Sequence, residues 1–496
     1  MDNPNNKTSF ISGKFSVLHA GHIRLFKFAK SISDKLIVGV YSDDLLESQI
    51  LESADERLIA IVTNKFVDQV VIIDKDVNTT LYSLRPDIVI KGTEHKDEYN
   101  AEKEYIDATS AQLIFSSGAT VNYLNNRLVE TEDFEELNSQ WVVPRKFIDR
   151  HQLSYEKISS LLDVTDSLNI LVIGDTIVDK YIECVAVGMS QEEPIIVAAP
   201  IQNNKFVGGA AIVSSHARSL GAGVTLITLL GDDQEAQYIK NELNKLDLVL
   251  LAHHEIGRPT TTKTRFKVSG RSVFRLNELL SDDCSHEIQD LIFNEISLAL
   301  EHIDMLIFSD FNYGILPTTL INRIAALCVE KSIPMVADSQ SSSQLGDITR
   351  YKNTKLVTPT EYEARVSLHN KDDGLVEVAE QIRLRTNSDH VFLKLGKAGL
   401  IVHNSKEVLS STVYLTDEIP ALYNSPIDTA GAGDSLMITS SLMLSKGASI
   451  WEAALIGSIA AGVQVSRNGN IPVTINEIKP VLKYIFNDTY RDRYDG

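Results

Sequence analysis

Short apolar runs alternate with amphipathic stretches from Phe10 to about Thr120. Phe10-Ile11-Ser12 reads as a strand and Ile23–Ile32 as a helix. Lys35–Tyr41 (KLIVGVY) reads as a buried strand, followed by a helix near Asp55–Asn64. Val70–Ile73 is another strand, then a helix near Thr80, then the strand Ile88-Val89-Ile90. Strands alternating with helices predict a parallel sheet covered on both faces. Such a sheet holds its ligand beyond the carboxyl ends of the strands. The pattern changes between Asn125 and about Asp166. There residues 126–152 read as an acidic connecting segment, with the run Glu130–Glu136 a solvated connecting helix. A second alternation opens at Asn169–Gly174. It continues through Val224–Leu230, Met305–Ser309, Met335–Asp338, Lys355–Thr358 and Val391–Leu395, which predicts a second, larger parallel α/β domain. No short-period repeat or low-complexity segment is visible.

A length of 496 residues agrees with more than one core, and 43% apolar with 23% charged residues is globular composition. The formal net charge of −20 argues against binding a nucleic-acid backbone or an anionic membrane by charge. Phosphates must then be held locally, by backbone amides and a few bases. Cys184, Cys284 and Cys328 are scattered without metal or redox spacing, so a reduced cytoplasm is expected. Met1–Ser9 is polar, so no signal peptide is expected. No apolar run reaches the roughly 20 residues of a membrane span, and Ala453–Val465 reads as a buried helix.

The first candidate site follows the first strand, in Ser12-Gly13-Lys14-Phe15-Ser16-Val17-Leu18-His19-Ala20-Gly21-His22. Two imidazoles three residues apart at a helix start can face one phosphate. Gly21 allows close backbone approach, the helix terminus supplies amides and a favourable dipole, and Lys14 supplies a full charge. A nucleotidyl transfer needs this kind of charge neutralisation more than covalent help. The segment resembles the His-x-Gly-His superfamily of cytidylyl- and adenylyltransferases. Asp55-Glu56-Arg57, Val67-Asp68 and Arg85-Pro86-Asp87…Lys91-Gly92 continue the resemblance, which covers about residues 8–125. It implies a Rossmann-like domain with His19, His22 and Lys14 in catalysis. Gly13, Phe15, Gly21, Arg57, Lys91, Gly92 and Thr120 would lie at the nucleotide. Ser16 stands where the family usually has Asp. Asp44–Ser53 has no base where sugar-phosphate members are rich in Lys, and the family's Ser/Thr cluster is reduced to Gly118-Ala119-Thr120. Turnover and nucleotide choice, ATP or CTP, stay open at this point.

The second candidate site is Ile427-Asp428-Thr429-Ala430-Gly431-Ala432-Gly433-Asp434, before the apolar helix Ser435–Ser445. Small residues leave the amides of Ala430–Gly433 bare, an anion hole at a helix start for a γ-phosphoryl group in transfer. Asp434 at its rim is placed to accept the proton of an attacking hydroxyl. The segment closely resembles the ribokinase/PfkB carbohydrate kinases, over about residues 153–487. The resemblance implies a ribokinase-like α/β domain with a small β lid. Gly174-Asp175…Asp179 matches the family's opening motif, whose second Asp holds sugar hydroxyls, and Gly208-Gly209 matches its sugar loop. Thr358-Pro359-Thr360-Glu361-Tyr362-Glu363 matches the motif whose last Glu organises hydrated Mg²⁺. Lys394, Gly396 and Gly399 match the turn near the nucleotide. Cys184–Pro200 would supply lid strands that pair between two subunits.

Within that family, Ser190–Val197, Phe274-Arg275-Leu276-Asn277 and Ser309-Asp310…Gly314 are similar to the heptose 7-phosphate kinase half of the bifunctional ADP-heptose synthases. Arg275 and Asp310 are thereby implied as substrate contacts. Those synthases also carry a His-x-Gly-His transferase, but with the kinase first, so the order here is swapped. Ile212, Asn277, Tyr313, Gln340 and Thr360 depart from the pattern, which implies a different sugar. Together the resemblances imply a homodimeric, cytoplasmic enzyme using ATP, Mg²⁺ and a second nucleoside triphosphate to make a nucleotide sugar. The alternatives are a kinase for another sugar or a nucleoside fused to a polyol-phosphate cytidylyltransferase, or to a domain that binds nucleotide without turnover. His253-His254 reads as an exposed turn and Asp232-Asp233 as a helix cap.

Overall fold

The computed structural model describes residues 7–15, 20–45, 53–62, 64, 66–92, 100–116, 140–163, 165–190, 192–193, 195–268, 271–341, 344–404 and 416–487. His19, Thr120, most of the base-free loop after Ser42-Asp43 and the acidic run Glu130–Glu136 lie outside them. The chain divides into two compact units, Met1–Thr131 and Glu132–Gly496.

The first unit contains β1 (Thr8–Gly13), β2 (Lys35–Tyr41), β3 (Gln69–Ile73), β4 (Ile88–Gly92) and β5 (Gln112–Ser116). They form one parallel sheet in the order β3-β2-β1-β4-β5. Strand period places Leu36, Val38 and Val40 in one core with Phe26 and Ile61, and Ile37 in the other with Val77 and Leu81. The runs are apolar on both faces because both faces are covered. The order reverses between β1 and β4, and the crevice at that switch point is where such a sheet holds a ligand.

The second unit opens with β6 (Asn169–Gly174), β7 (Thr176–Met189), β8 (Ile196–Gly209), β9 (Gly223–Leu229) and β10 (Val249–His253). There follow β11 (Thr262–Val268), β12 (Arg271–Glu278), β13 (Met305–Asp310), β14 (Met335–Ser339) and β15 (Leu356–Val357). β16 (His390–Lys394), β17 (Leu400–Asn404) and β18 (Thr416–Ile419) complete it. The main sheet runs β10-β9-β6-β13-β14-β15-β16-β17-β18, parallel from β10 to β16 and antiparallel over its last two pairings. Ile170 and Val172 face one core, Leu171 and Ile173 the other. Each such side chain taken from water stabilises by about 1.5–3 kcal/mol.

A second sheet, β12-β11-β7-β8, forms the lid. It is broader than the Cys184–Pro200 hairpin expected from the sequence. β12 escapes an apolar-pattern reading because it is exposed along its whole length. Residues 140–152 also differ from expectation. They are not a solvated connector, since Trp141 bridges to Tyr423, its ring packs edge-on to Tyr423, and Phe147 is fully buried in the second unit's core. Their large apolar side chains outweigh the acidic composition just before them.

Candidate active sites

In the first unit, Gly13 ends β1 and Lys14 follows it, exposed. Phe15 adopts φ 48° and turns its ring inward, 5.0 Å from the His22 ring and 5.7 Å from Phe26. It is a core residue that sets the entry to the helix Ala20–Ser31, which carries Gly21 and His22. Arg57 was expected at the nucleotide, but its guanidinium is fully buried. It donates to the Lys14 carbonyl (2.5 Å), the Tyr41 carbonyl (3.0 Å) and the Asp43 carboxylate (2.5 Å). Arg57 therefore ties the loop after β1 to the end of β2. Lys91 and Gly92 end β4, beside β1. The Lys91 ammonium lies 2.9 Å from Glu102, a buried carboxylate that also accepts from Ser12 Oγ at 2.8 Å. Glu102 carries no motif signature and is found only through these contacts.

In the second unit the expected residues gather at the carboxyl ends of β6, β13, β14 and β16. Asp175 follows β6, but its carboxylate accepts from the amides of Phe311 (2.8 Å) and Tyr313 (3.2 Å). Burial, then the neighbouring Asp310, pushes its pKa up to about 7. Asp310, at the end of β13, accepts from Arg350 (2.5 Å), Tyr351 Oη (2.7 Å) and Ser339 Oγ (3.1 Å). Both were expected on substrate. Both instead hold the loop 311–313 from below, because buried carboxylates are retained only where donors surround them.

Asp179, on β7, is different. Its Oδ2 accepts from Asn470 Nδ2 at 3.1 Å, while Oδ1 is buried without a hydrogen-bond partner among the described residues. Burial pushes its pKa up, opposed by Arg265, Lys263 and Arg275. The cross-strand register puts Lys263 and Arg265 of β11 beside Asp179 and Tyr181, and Arg275 and Asn277 of β12 on the same lid face. Lys267 shares that face by the two-residue period. Gly208 and Gly209 end β8. Gly209, at φ 60°, could carry no side chain, since a Cβ would stand 2.1 Å from the Asp175 carbonyl oxygen. Ile212, expected near substrate, is fully buried in the apolar core, and Tyr313 is buried against Phe311.

The helix Ala432–Ser445 starts from Gly431, its N-cap in the left-handed region at φ 76°. First-turn amides of Ala432, Gly433 and Asp434 have no acceptor inside the helix, although that of Ala432 makes a long contact to the Thr429 carbonyl at 3.5 Å. Ala430 was expected among them, but its amide donates to Asp428 Oδ1 at 3.1 Å. Asp434 is buried, and burial followed by Asp338 pushes its pKa up to about 7. Lys394, at the end of β16, pairs with both Asp338 oxygens at 3.0 Å. Its ammonium lies 3.1 Å from where a Cβ on Gly433 would stand. Burial lowers its pKa, but Asp338 and Glu363 more than offset this and it is raised. Gly396, φ 58°, opens the turn after β16. Gln340, read as a lost lysine, donates to Asp434 Oδ1 at 2.8 Å.

Glu363 accepts from the Thr360 amide (2.7 Å) in a capping box and from the Ser341 amide (2.9 Å). Asp338, Glu363 and Asp434 supply carboxylate oxygens, the donors Mg²⁺ prefers. Among the described residues no three acids, histidines or cysteines form a cage for a metal. The set fits an ion held mainly by phosphate and water.

Asp233 caps the helix Gln234–Asn244, as expected. His253 ends β10 and pairs with Glu295 at 2.9 Å, whereas His254 is exposed. The three cysteines are free and buried, and among the described residues no helix is long and apolar enough to cross a membrane.

The model of the pfkB family carbohydrate kinases matches residues 167–476. The chain belongs to the pfkB family. A cytidylyltransferase-like family model matches residues 10–162, ahead of the pfkB region. Curated relatives include the bifunctional protein HldE of Helicobacter acinonychis (strain Sheeba), 27% identical over 320 residues, which are 63% of this chain and 66% of that protein. The bifunctional protein HldE of Coxiella burnetii (strain Dugway 5J108-111) is 29% identical over 328 residues, 65% of this chain and 66% of that protein. The chain thus spans about two thirds of the length of the relatives it matches. Among solved structures, ribokinase from Thermotoga maritima gives a TM-score of 0.50 at 20% identity, covering 64% of this chain and 99% of that one. Phosphofructokinase-2 from Escherichia coli, in complex with substrates and products, gives 0.52 at 16% identity, with 64% and 99% covered. The second unit therefore has the ribokinase-like fold, and the first is a Rossmann-like, cytidylyltransferase-like domain.

Proposed function

We propose that this pfkB-family chain is a bifunctional sugar-activating enzyme. The kinase transfers a phosphoryl group from ATP to the anomeric hydroxyl of a sugar phosphate. The product is a bisphosphate; once a separate phosphatase has hydrolysed its other phosphate, the transferase joins a nucleoside monophosphate to the remaining sugar 1-phosphate and releases pyrophosphate. The carrying observation is the pairing of Asp434, a buried carboxylate whose pKa is about 7, with the first-turn amides beside it. A base with a pKa near the working pH is suited to proton transfer. The acceptor oxygen gives its proton to Asp434 and bonds to the γ-phosphorus as the bond to the β–γ bridging oxygen breaks. The amides of Gly431, Ala432 and Gly433, and the Lys394 ammonium beside them, meet the charge on the moving group. Bound Mg²⁺ would neutralise charge on the ATP phosphates. Glu363 would hold its water shell while fixing Ser341 and the adjacent Gln340.

The lid face formed by Lys263, Arg265, Lys267 and Arg275 favours an acceptor that already carries a phosphate. This agrees with the relatives named HldE, and we take an ADP-heptose-like product as the reading. The kinase-after-transferase order is then the reverse of the order in those synthases. The exposed apolar residues Val187, Met189, Ile196, Ile201 and Phe274 on the lid strands favour pairing of two subunits there. Buried free thiols agree with a cytoplasmic setting. We place the transferase at about residues 8–125 and the kinase to about residue 487. The connector ends before Trp141, because that residue packs with the kinase.

In the transferase, His22 and His19 would face the α-phosphate and Lys14 the leaving pyrophosphate, with Gly13, Gly21, Gly92 and Thr120 at the nucleotide. The pairing of Lys91 with Glu102 and the burial of Arg57 favour a second reading, in which this domain binds nucleotide without turnover. Mass spectrometry of products from the full chain with ATP or CTP and a panel of sugar 1-phosphates separates the two. A nucleotide sugar supports the first reading. Sugar 1-phosphate left unconverted with either nucleotide supports the second.

A further inference from the structure

Asn470 lies in the loop after the helix Ile450–Val465, far in sequence from every motif of the kinase site, yet it stands at the junction of three of them. Its Nδ2 donates to Asp179 Oδ2 at 3.1 Å and lies 3.4 Å from where a Cβ on Gly208 would stand. Its Oδ1 lies 2.6 Å from the corresponding point on Gly431, the N-cap of the anion hole. The carboxamide thus spans the space between the sugar loop and the phosphoryl site.

The oxygen atoms of this pair are under-used. Asn470 and Asp179 are each only 6% exposed. Asn470 Oδ1 and Asp179 Oδ1 are buried without a hydrogen-bond partner among the described residues, although the Arg265 guanidinium stands 4.0 Å from the latter. A buried acceptor left unmet is costly, so such atoms in a native protein ask for a donor. Both are acceptors, they adjoin one another through the Asn470–Asp179 bond, and they sit beside the glycine that shapes the hole. The complementary ligand is a molecule with neighbouring O–H donors close to its reacting oxygen. A polyol or sugar ring carrying adjacent hydroxyls meets that description.

We infer that Asn470 is a specificity-determining residue of the kinase site, accepting a hydrogen bond from an acceptor hydroxyl next to the one held by Asp179. The inference rests on the kinase reading above and adds a residue to it. The neighbouring Gln464 fixes Asn470's surroundings, since its Nε2 donates to the Ala430 and Gly469 carbonyls at 3.2 and 2.9 Å. The site can therefore lose the Asn470 oxygen without losing the turn.

The test uses the full chain with ATP, heptose 7-phosphate and its 2-deoxy and 3-deoxy analogues. Asn470→Ala is expected to raise the KM for heptose 7-phosphate by about ten- to hundredfold, with the KM for ATP within about twofold. The same variant should discriminate less than wild type between the full sugar and one deoxy analogue. Asn470→Ser, which keeps a small oxygen acceptor, should recover part of the lost affinity. An unchanged acceptor KM in Asn470→Ala, or an equal loss with every acceptor and with ATP, overturns the inference while leaving the kinase reading intact. A wild-type chain that phosphorylates none of the acceptors overturns the kinase reading and the inference with it.

Discussion

Gln340 Nε2 donates a 2.8 Å hydrogen bond to Asp434 Oδ1 and lies 3.4 Å from Asp338 Oδ2. The side chain therefore bridges the proposed base to the acid that pairs with Lys394. A lysine at position 340 would add a charge beside Asp434. The neutral amide orients the carboxylate and only modestly favours its ionised form.

That relationship has a pH signature. Asp434 sits at a pKa of about 7, and the hydrogen bond from Gln340 is one of the influences that lower it. Only the ionised carboxylate accepts a proton, so kcat/KM for the kinase should fall as pH drops through about 7. Gln340→Leu removes the bond, so its acidic limb should move to higher pH. A pH–rate profile of wild type and variant checks this. A variant limb at lower pH, or no acidic limb in either, contradicts it.

Asp434→Asn should lower kinase kcat by about 10²-fold or more and leave transferase turnover unchanged when sugar 1-phosphate is supplied. The same variant should be more stable above neutral pH. A carboxyl raised from 3.8 to about 7 on folding costs nothing below pH 3.8, where it is protonated in both states. The cost grows between those values, where only the unfolded chain loses its proton, and is complete above about 7. Removing it should stabilise by about 1–4 kcal/mol at pH 8 and by less at pH 5. Urea unfolding at the two pH values measures the difference. Equal effects at both would assign Asp434 an ordinary carboxyl.

In the transferase, His22→Ala should reduce turnover much more than nucleotide affinity, because its interaction grows as charge develops on the phosphate. Steady-state rates beside equilibrium nucleotide binding separate the two. A loss confined to binding makes His22 a ground-state contact.

What the sequence made legible follows from the kind of interaction involved. The run Asp428–Asp434 could be proposed from sequence because an anion hole is local: the glycine, amides and proposed base would be neighbours along the chain. The strand Asn169–Gly174 was likewise legible, and its two-residue period turns Leu171 and Val172 to opposite cores. Asn470's contact with Asp179 and Gln340's bond to Asp434 were not legible, since each is made only through the tertiary fold; Gln340 touches Asp434 from 94 positions away. Asp175 and Asp310 mark the other limit. A carboxylate's identity does not reveal which way it turns, and both turn toward backbone or Arg350 donors. The β12 strand lacked the apolar alternation that reveals a buried strand, because it is exposed along its whole length.

Phosphorus NMR of the kinase product tests the central claim most directly. The full chain is incubated with ATP and heptose 7-phosphate, beside the His22→Ala variant as a control against onward conversion. An anomeric phosphate is expected, seen as a new phosphorus signal coupled to H1 and lost on mild acid treatment, with the original 7-phosphate unchanged. A new phosphate on any other carbon, acid-stable and uncoupled from H1, would leave the fused transferase without a sugar 1-phosphate and contradict the sugar-activation reading.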